Sequence, residues 1–179
     1  SKPGAMTGGI QVADFEQAFS KTMAAEGGYV LTNDPADKGK QTYAGISRRF
    51  HPTWAGWTFI DAGQTPPTEL VRDLYRAEFW SAIKGASITD QSAAESLYDL
   101  AVNASPKVAV KLAQIVVGVE PDGFIGPKTL FALNGTDARY FRLAFALARI
   151  ARREAVVSKD RSQEKFLLGW IRRDLKGVA

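Results

Sequence analysis

Four oxygen-bearing side chains fall close together near the N-terminus: Glu26, Asp34, Asp37 and Thr42. Glu26 stands directly before Gly27-Gly28, where an amphipathic pattern stops. The C-terminal end of a helix is the negative end of its dipole, which disfavours ionisation of a carboxyl placed there. A carboxyl held protonated near neutrality is what a general acid needs. A second carboxylate brought across by a hairpin would complete the pair that glycoside hydrolysis uses. One group protonates the leaving oxygen, and the other activates water or stabilises positive charge on the sugar carbon. Thr42 is placed to orient that water. The bland reading stays beside the chemical one, since Asn33-Asp34-Pro35 and Asp37-Lys38-Gly39 are turn chemistry and Glu26 also reads as a solvated helix end.

The rest of the composition narrows the chemistry further. With no cysteine, disulfides, thiolate nucleophiles and Cys-based metal sites are excluded. The single histidine, His51, removes a multi-histidine metal site and argues against a Ser-His-Asp triad. We therefore expect no metal and no cofactor. At 179 residues, 45% hydrophobic and 23% charged, the chain suffices for one domain with a core, or a small core with an appended subdomain. The net charge of +4 is unevenly spread, with eleven Lys and Arg against four Asp and Glu between Arg139 and Lys176. Such a segment suits an anionic partner, whether nucleic acid, wall polymer or acidic lipid, or is simply a solvated helical face. No nucleic-acid readout motif accompanies it. No apolar run has the length of a membrane span or a signal segment.

These residues need elements to hold them. The opening SKPGAMTGG, residues 1–9, reads as an expression scar and flexible start and is set aside. Val12, Phe15, Phe19 and Met23 recur at helical spacing and predict a first helix ending at Gly27-Gly28. Tyr29 to Leu31 and Gln41 to Tyr43 predict a small hairpin around TNDPADKGK. Residues 51–67 mix turn formers with Trp54, Trp57 and Phe59, giving an ordered loop pinned by aromatics. Thr68 is the expected N-cap of a helix bearing Leu70, Val71, Leu74, Tyr75 and Ala77. Ser92 and Glu95 match a capping box, opening a helix with Leu97, Leu100, Ala101 and Ala104 inward. Pro106 suits the first turn of the next helix, with Val108, Leu112, Ile115 and Val116 inward. Pro127 starts a short helix, and two longer ones follow over 137–157 and 160–175. The fold class is mainly α, with one small N-terminal β-hairpin.

The stretch EGGYVLTNDPADKGKQTYAGI, residues 26–46, resembles the Glu-Gly-Gly-Tyr-Val, Asn-Asp-Pro, Asp-x-Gly-Gly, Thr-x-x-Gly-Ile motif of glycoside hydrolase family 108, the lysozyme-like N-acetylmuramidases. SLYDLAVNAS is similar to that family's Phe-Asp-x-Ala-Val-Asn-Ser segment. VGVEPDGFIGPKTLFAL is similar to the peptidoglycan-binding-type subdomain that follows it, and FLLGWIRR to the closing Gly-Trp-x-x-Arg helix. The likeness runs over roughly residues 12–173.

The resemblance implies an α+β lysozyme-like fold, with the hairpin beside the active-site cleft. It divides the chain into a catalytic region at 10–105 and a helical subdomain at 106–179 packed on it. It implies cleavage of the β-1,4 bond between N-acetylmuramic acid and N-acetylglucosamine. Glu26 takes the catalytic acid's place, Asp37 (with Asp34 its rival) and Thr42 those of the water-holding groups, and similarity to phage-type lysozymes implies inversion. Tyr29, Tyr43, Lys40 and Asn103 are the expected substrate contacts. Trp54, Trp57, Trp80 and Trp170 are expected in the core. Three positions depart from the motif: Lys40 replaces its second glycine, Tyr43 a small polar residue, and Ala104-Ser105 its Ser-Gly. A monomer acting on peptidoglycan strands in the periplasm or outside the cell, as a phage endolysin or secreted effector, is expected. The rival readings are a wall-binding module without turnover, a lytic transglycosylase, and a nucleic-acid-binding helical domain.

Overall fold

The computed structural model of the protein describes residue 9 and residues 11–33 and 40–178. Helix α1 spans Phe15–Ala25. It opens on Asp14, whose side chain accepts from the Glu16 amide at 2.7 Å, and buries Phe15, Ala18, Phe19, Thr22 and Met23. Val12, expected on that stripe, precedes the helix and is exposed. The helix stops as predicted. Glu26 is its C-cap, and Gly27 and Gly28 follow at φ of 84° and 78°, a left-handed conformation that costs glycine little.

Three two-residue strands come next: β1 Leu31–Thr32, β2 Thr42–Tyr43 and β3 Ile46–Ser47. They form one antiparallel sheet in the order β1-β2-β3, with Leu31 opposite Tyr43 and Tyr43 opposite Ile46. The expected hairpin is present, and β3 is an addition that two residues are too few to announce by alternation. Ala44 and Gly45 join β2 to β3 at φ of 49° and 79°. Two successive left-handed residues are the signature of a tight type I′ hairpin turn.

Residues 51–67 are pinned by aromatics as expected, yet contain a short helix, α2 Gly56–Asp61. Trp54 Nε1 donates to the Leu70 carbonyl at 3.2 Å and Trp57 Nε1 to that of His51 at 2.7 Å. Helix α3 spans Thr68–Tyr75, with Pro67 rather than Thr68 in the cap position and no side-chain cap. Thr68 already has a helical backbone, so its hydroxyl sits too late to cap. Ala77, expected inward, is exposed. A π-helical turn, Arg76–Trp80, and a short 3-10 turn, Gly85–Ser87, lead to α4 Gln91–Asn103.

Helix α4 is the centre of the molecule, with Ala94, Leu97, Tyr98, Leu100 and Ala101 fully buried. Its cap is Asp90, which accepts from the Ala93 amide at 2.8 Å, not the predicted Ser92–Glu95 box. Glu95 instead pairs with Lys21 of α1. Helix α5, Pro106–Val117, starts with Ser105 capping the Val108 amide and Pro106 in the first turn. Its buried face is Ala109, Val110, Ala113 and Gln114, while Ile115 is exposed. Small side chains face inward here because α4 and α7 approach closely, and the larger aliphatic residues ride the rim. Helices α6 Pro127–Gly135, α7 Ala138–Lys159 and α8 Glu164–Leu175 complete the fold, α8 doubling back on α7. Trp57 and Trp80 are in the core; Trp170 is half-buried, under the Arg153 guanidinium at 5.1 Å.

Candidate active site

Glu26 sits where α1 ends and the β2–β3 turn passes. Gly45 makes that passage possible: a Cβ there would lie 3.3 Å from Glu26 Oε2 and 2.4 Å from the Tyr75 hydroxyl. Tyr75, on α3, donates from that hydroxyl to the Ala44 carbonyl at 2.7 Å. Ala44 is buried at a φ of 49°, an uphill conformation for a residue with a Cβ. The phenol thus fastens a strained turn against the carboxyl. The turn is also held from its far side. Arg48 Nη1 donates to Gln41 Oε1 at 2.7 Å, and its guanidinium makes a two-pronged contact with Asp61 of α2, both bonds at 2.8 Å.

The other Glu26 oxygen belongs to the C-terminal end of the chain. Arg173 Nη2 lies 2.9 Å from Glu26 Oε1. The same guanidinium donates three hydrogen bonds to Asp99 of α4, at 2.9, 3.1 and 3.2 Å. Asp99 also accepts from Arg149 at 2.8 Å. Arg149 and Arg153 pair with Asp174, whose side chain is wholly buried. Buried charges persist only when paired and hydrogen-bonded, and this network meets that condition for both aspartates. Burial on its own would raise the Asp99 carboxyl, but hydrogen bonds and charge from Arg173 and Arg149 outweigh it and hold the group below the usual carboxylate range.

The predicted site residues divide accordingly. Glu26 is the partly exposed cap at the end of α1, and Thr42, half-buried, leads β2 toward the turn that touches it. Asp34 and Asp37 lie outside the described residues. Lys40 is exposed just before β2. Tyr29 is exposed beside the glycines that end α1. Tyr43 is a correction: it is 5% exposed, stacked on Trp54 with ring centroids 6.0 Å apart, so its face is not open to a sugar. Asn103 accepts from Arg153, making the helix-to-helix contact that was the alternative to substrate binding.

Arg173, Arg149 and Tyr75 were missed as site residues. Part of the signal was legible. Asp99 and Asn103 are four apart on α4, as are Arg149 and Arg153 on α7, and the two stripes meet rung for rung. Nothing local in the sequence brings Tyr75 to Ala44. Among the described residues no cluster of three or more His, Cys, Asp or Glu could hold a metal ion, and no helix is long and apolar enough to cross a membrane.

A helical body with a three-stranded sheet at the foot of its first helix defines the class of fold, mainly α and lysozyme-like. Comparison with known proteins makes it particular. Residues 19–104 match the family model described as Glycosyl hydrolase 108, and residues 108–175 match that described as Predicted Peptidoglycan domain. The N-terminal part of the chain is thus similar to the glycosyl hydrolase 108 family, and the C-terminal part to the peptidoglycan domain. A solved structure, "Structure of Brucella abortus SagA", is similar with a TM-score of 0.68 and 27% identity, over 92% of this chain and 91% of that one. Among curated protein sequences, none matches this chain. The protein is a peptidoglycan hydrolase.

Proposed function

We propose that the enzyme is a muramidase that hydrolyses the β-1,4 bond between N-acetylmuramic acid and N-acetylglucosamine, with Glu26 as general acid. The observation that carries this reading is the seat of Glu26. Its carboxyl stands at the end of α1, against the Ala44–Gly45 turn, with one oxygen committed to Arg173 and the other toward the turn. In this reading Glu26 gives its proton to the leaving glycosidic oxygen. Thr42, on the strand that feeds the turn, holds the attacking water together with a hairpin carboxylate, Asp37 before Asp34. Inversion follows from water attacking the face opposite the acid. Residues 10–105 supply the chemistry, residues 106–179 grip the wall, and the chain acts as a monomer.

The test is a muropeptide digest read by mass spectrometry, run on the wild type and on Glu26→Gln. We expect new reducing muramic acid ends from the wild type and at least about a 10²-fold loss of rate in the variant, with its helical fold intact. Full residual activity in Glu26→Gln would sink the assignment. Anhydro-muramic ends would replace hydrolysis by transglycosylation, and wall binding without new ends would leave a binding module only.

A further inference from the structure

A cavity of about 320 Å³ is walled by α1, α4, α7, α8 and the C-terminal turn. Arg173, which pairs with Glu26, is in its lining, and Glu26 is not. Lys21, Arg142, Arg149, Arg173 and Lys176 contribute positive charge to its wall, against the carboxylates of Glu95 and Asp99. Both carboxylates are already engaged, Glu95 by Lys21 at 2.5 Å and Asp99 by Arg149 and Arg173. From outside the lining, Glu26 offsets Arg173, and Asp174 is shared by Arg149 and Arg153. Arg142 and Lys176 make no ion pair with any described residue.

The donors tell the same story as the charges. The Nε atoms of Arg142 and Arg149 are buried and have no hydrogen-bond partner among the described residues, and Arg149 is only 2% exposed. A buried donor left unmet keeps its full desolvation cost, and more so when it is charged. Both arginines belong to the cavity's lining. The volume far exceeds the roughly 30 Å³ that a water occupies in the liquid. Ser92 and Ser96 also line it.

We propose that this cavity is a binding site for a phosphoryl dianion. Arg142 and Lys176, both in the lining and outside any ion pair with a described residue, leave the wall with an excess of positive charge that suits an anion. Guanidinium edges and serine hydroxyls suit the several oxygens of a tetrahedral phosphoryl group better than a single small halide. The group comes either as free inorganic phosphate or as a monoester on a small organic carrier. Because Arg173 faces both the cavity and Glu26, the ligand sits one side chain away from the proposed acid.

Isothermal titration calorimetry at constant ionic strength tests this, with inorganic phosphate and glycerol phosphate as separate probes and chloride as the control. We expect saturable binding of about one dianion per chain, weakened at least about tenfold by Arg142→Gln and by Lys176→Gln. Lys176 lies in the C-terminal turn, so its variant decides the matter should Arg142→Gln fold poorly. Tighter binding of the ester than of phosphate identifies a carried group; the reverse identifies the free ion. Absence of saturable binding to the wild type, or affinity unchanged in Lys176→Gln, overturns the proposal and leaves the Nε donors to water. Binding is read without turnover, and Glu26→Gln is expected to retain it, so its failure is separate from failure of the muramidase reading.

Discussion

Arg173 and Glu26, from opposite ends of the chain, are 2.9 Å apart, and the Nη2 atom that makes this contact also donates to Asp99 at 2.9 Å. Helix α8 is thereby fastened to the end of α1 and the middle of α4 through one planar group. In the proposed reading the C-terminal part of the chain therefore does more than grip the wall: through Arg173 it also holds the proposed acid.

Arg173→Lys separates position from charge. Lysine keeps the cation but loses the fork that meets both Asp99 oxygens. We expect a stability loss of about 1–3 kcal/mol from the weakened hydrogen bonds to Asp99, and a fall in kcat with KM nearly unchanged, because Arg173 holds Glu26 rather than substrate. Arg173→Met should be worse on both counts, since it strips Glu26 of its cation and leaves Asp99 with Arg149 alone. Thermal melts and steady-state kinetics on purified peptidoglycan check this. A rise in KM at constant kcat would instead make Arg173 a substrate contact.

Asp99 sets the acid limit of the fold. Its carboxyl is held below the ordinary range in the native state, so the unfolded chain binds the proton more readily. Asp99 therefore favours folding at pH above the ordinary Asp value of about 3.9, and that contribution is lost as pH falls through the lower native value. The stability gap between wild type and Asp99→Asn should be widest near neutrality and shrink as the pH drops below about 4. Denaturant titrations across that range measure it. A gap that widened on acidification would refute the pairing as the source of Asp99's contribution.

Gly45 is held to glycine twice over, by its φ of 79° and by the 2.4 Å that a Cβ would leave to the Tyr75 hydroxyl. Gly45→Ala adds about 1–2 kcal/mol of backbone strain and pushes the turn off both Tyr75 and Glu26. We expect it to lower the melting temperature and to cut hydrolysis sharply. Ala44→Gly is the control. It relieves strain of similar size at φ 49° but loses a buried methyl worth about 0.8 kcal/mol and adds backbone freedom of roughly 0.5–1 kcal/mol in the unfolded chain, so the two sides nearly cancel. Melting and activity of both variants, side by side, test whether the turn's backbone path is what matters.

Much of the helical scaffold was legible because it follows from local rules. Phe15, Phe19 and Met23 set the face of α1, Gly27-Gly28 its end, and Pro106 the start of α5. Faces were less legible than ends. On α5 the larger residues Val108, Leu112, Ile115 and Val116 looked like the buried stripe, yet close helix packing turns Ala109, Val110, Ala113 and Gln114 inward. Capping failed where two candidates competed: Asp90, two residues ahead of Ser92, captured the start of α4. For the site, Glu26 was visible through its position at a helix end. Its partner Arg173 and the clamp Tyr75 were not, because both act across the tertiary fold, where spacing along the chain carries no information.

Tyr75 and Tyr98 form a matched pair for a final test. Both hydroxyls are buried, and desolvation foremost raises both phenols well above their ordinary value, so each remains a neutral O–H donor. They differ in what they meet. Tyr75 donates to the Ala44 carbonyl at 2.7 Å, whereas the Tyr98 hydroxyl has no partner among the described residues. Tyr75→Phe orphans a buried carbonyl at the strained turn and should cost about 1–3 kcal/mol. Tyr98→Phe removes an unmet polar atom and should be neutral or slightly stabilising. Activity should follow the turn, falling in Tyr75→Phe and holding in Tyr98→Phe. Chemical denaturation and the muropeptide digest, applied to both variants, decide it: equal destabilisation would mean that Tyr98 has a partner, and full activity in Tyr75→Phe would mean that the turn needs no clamp.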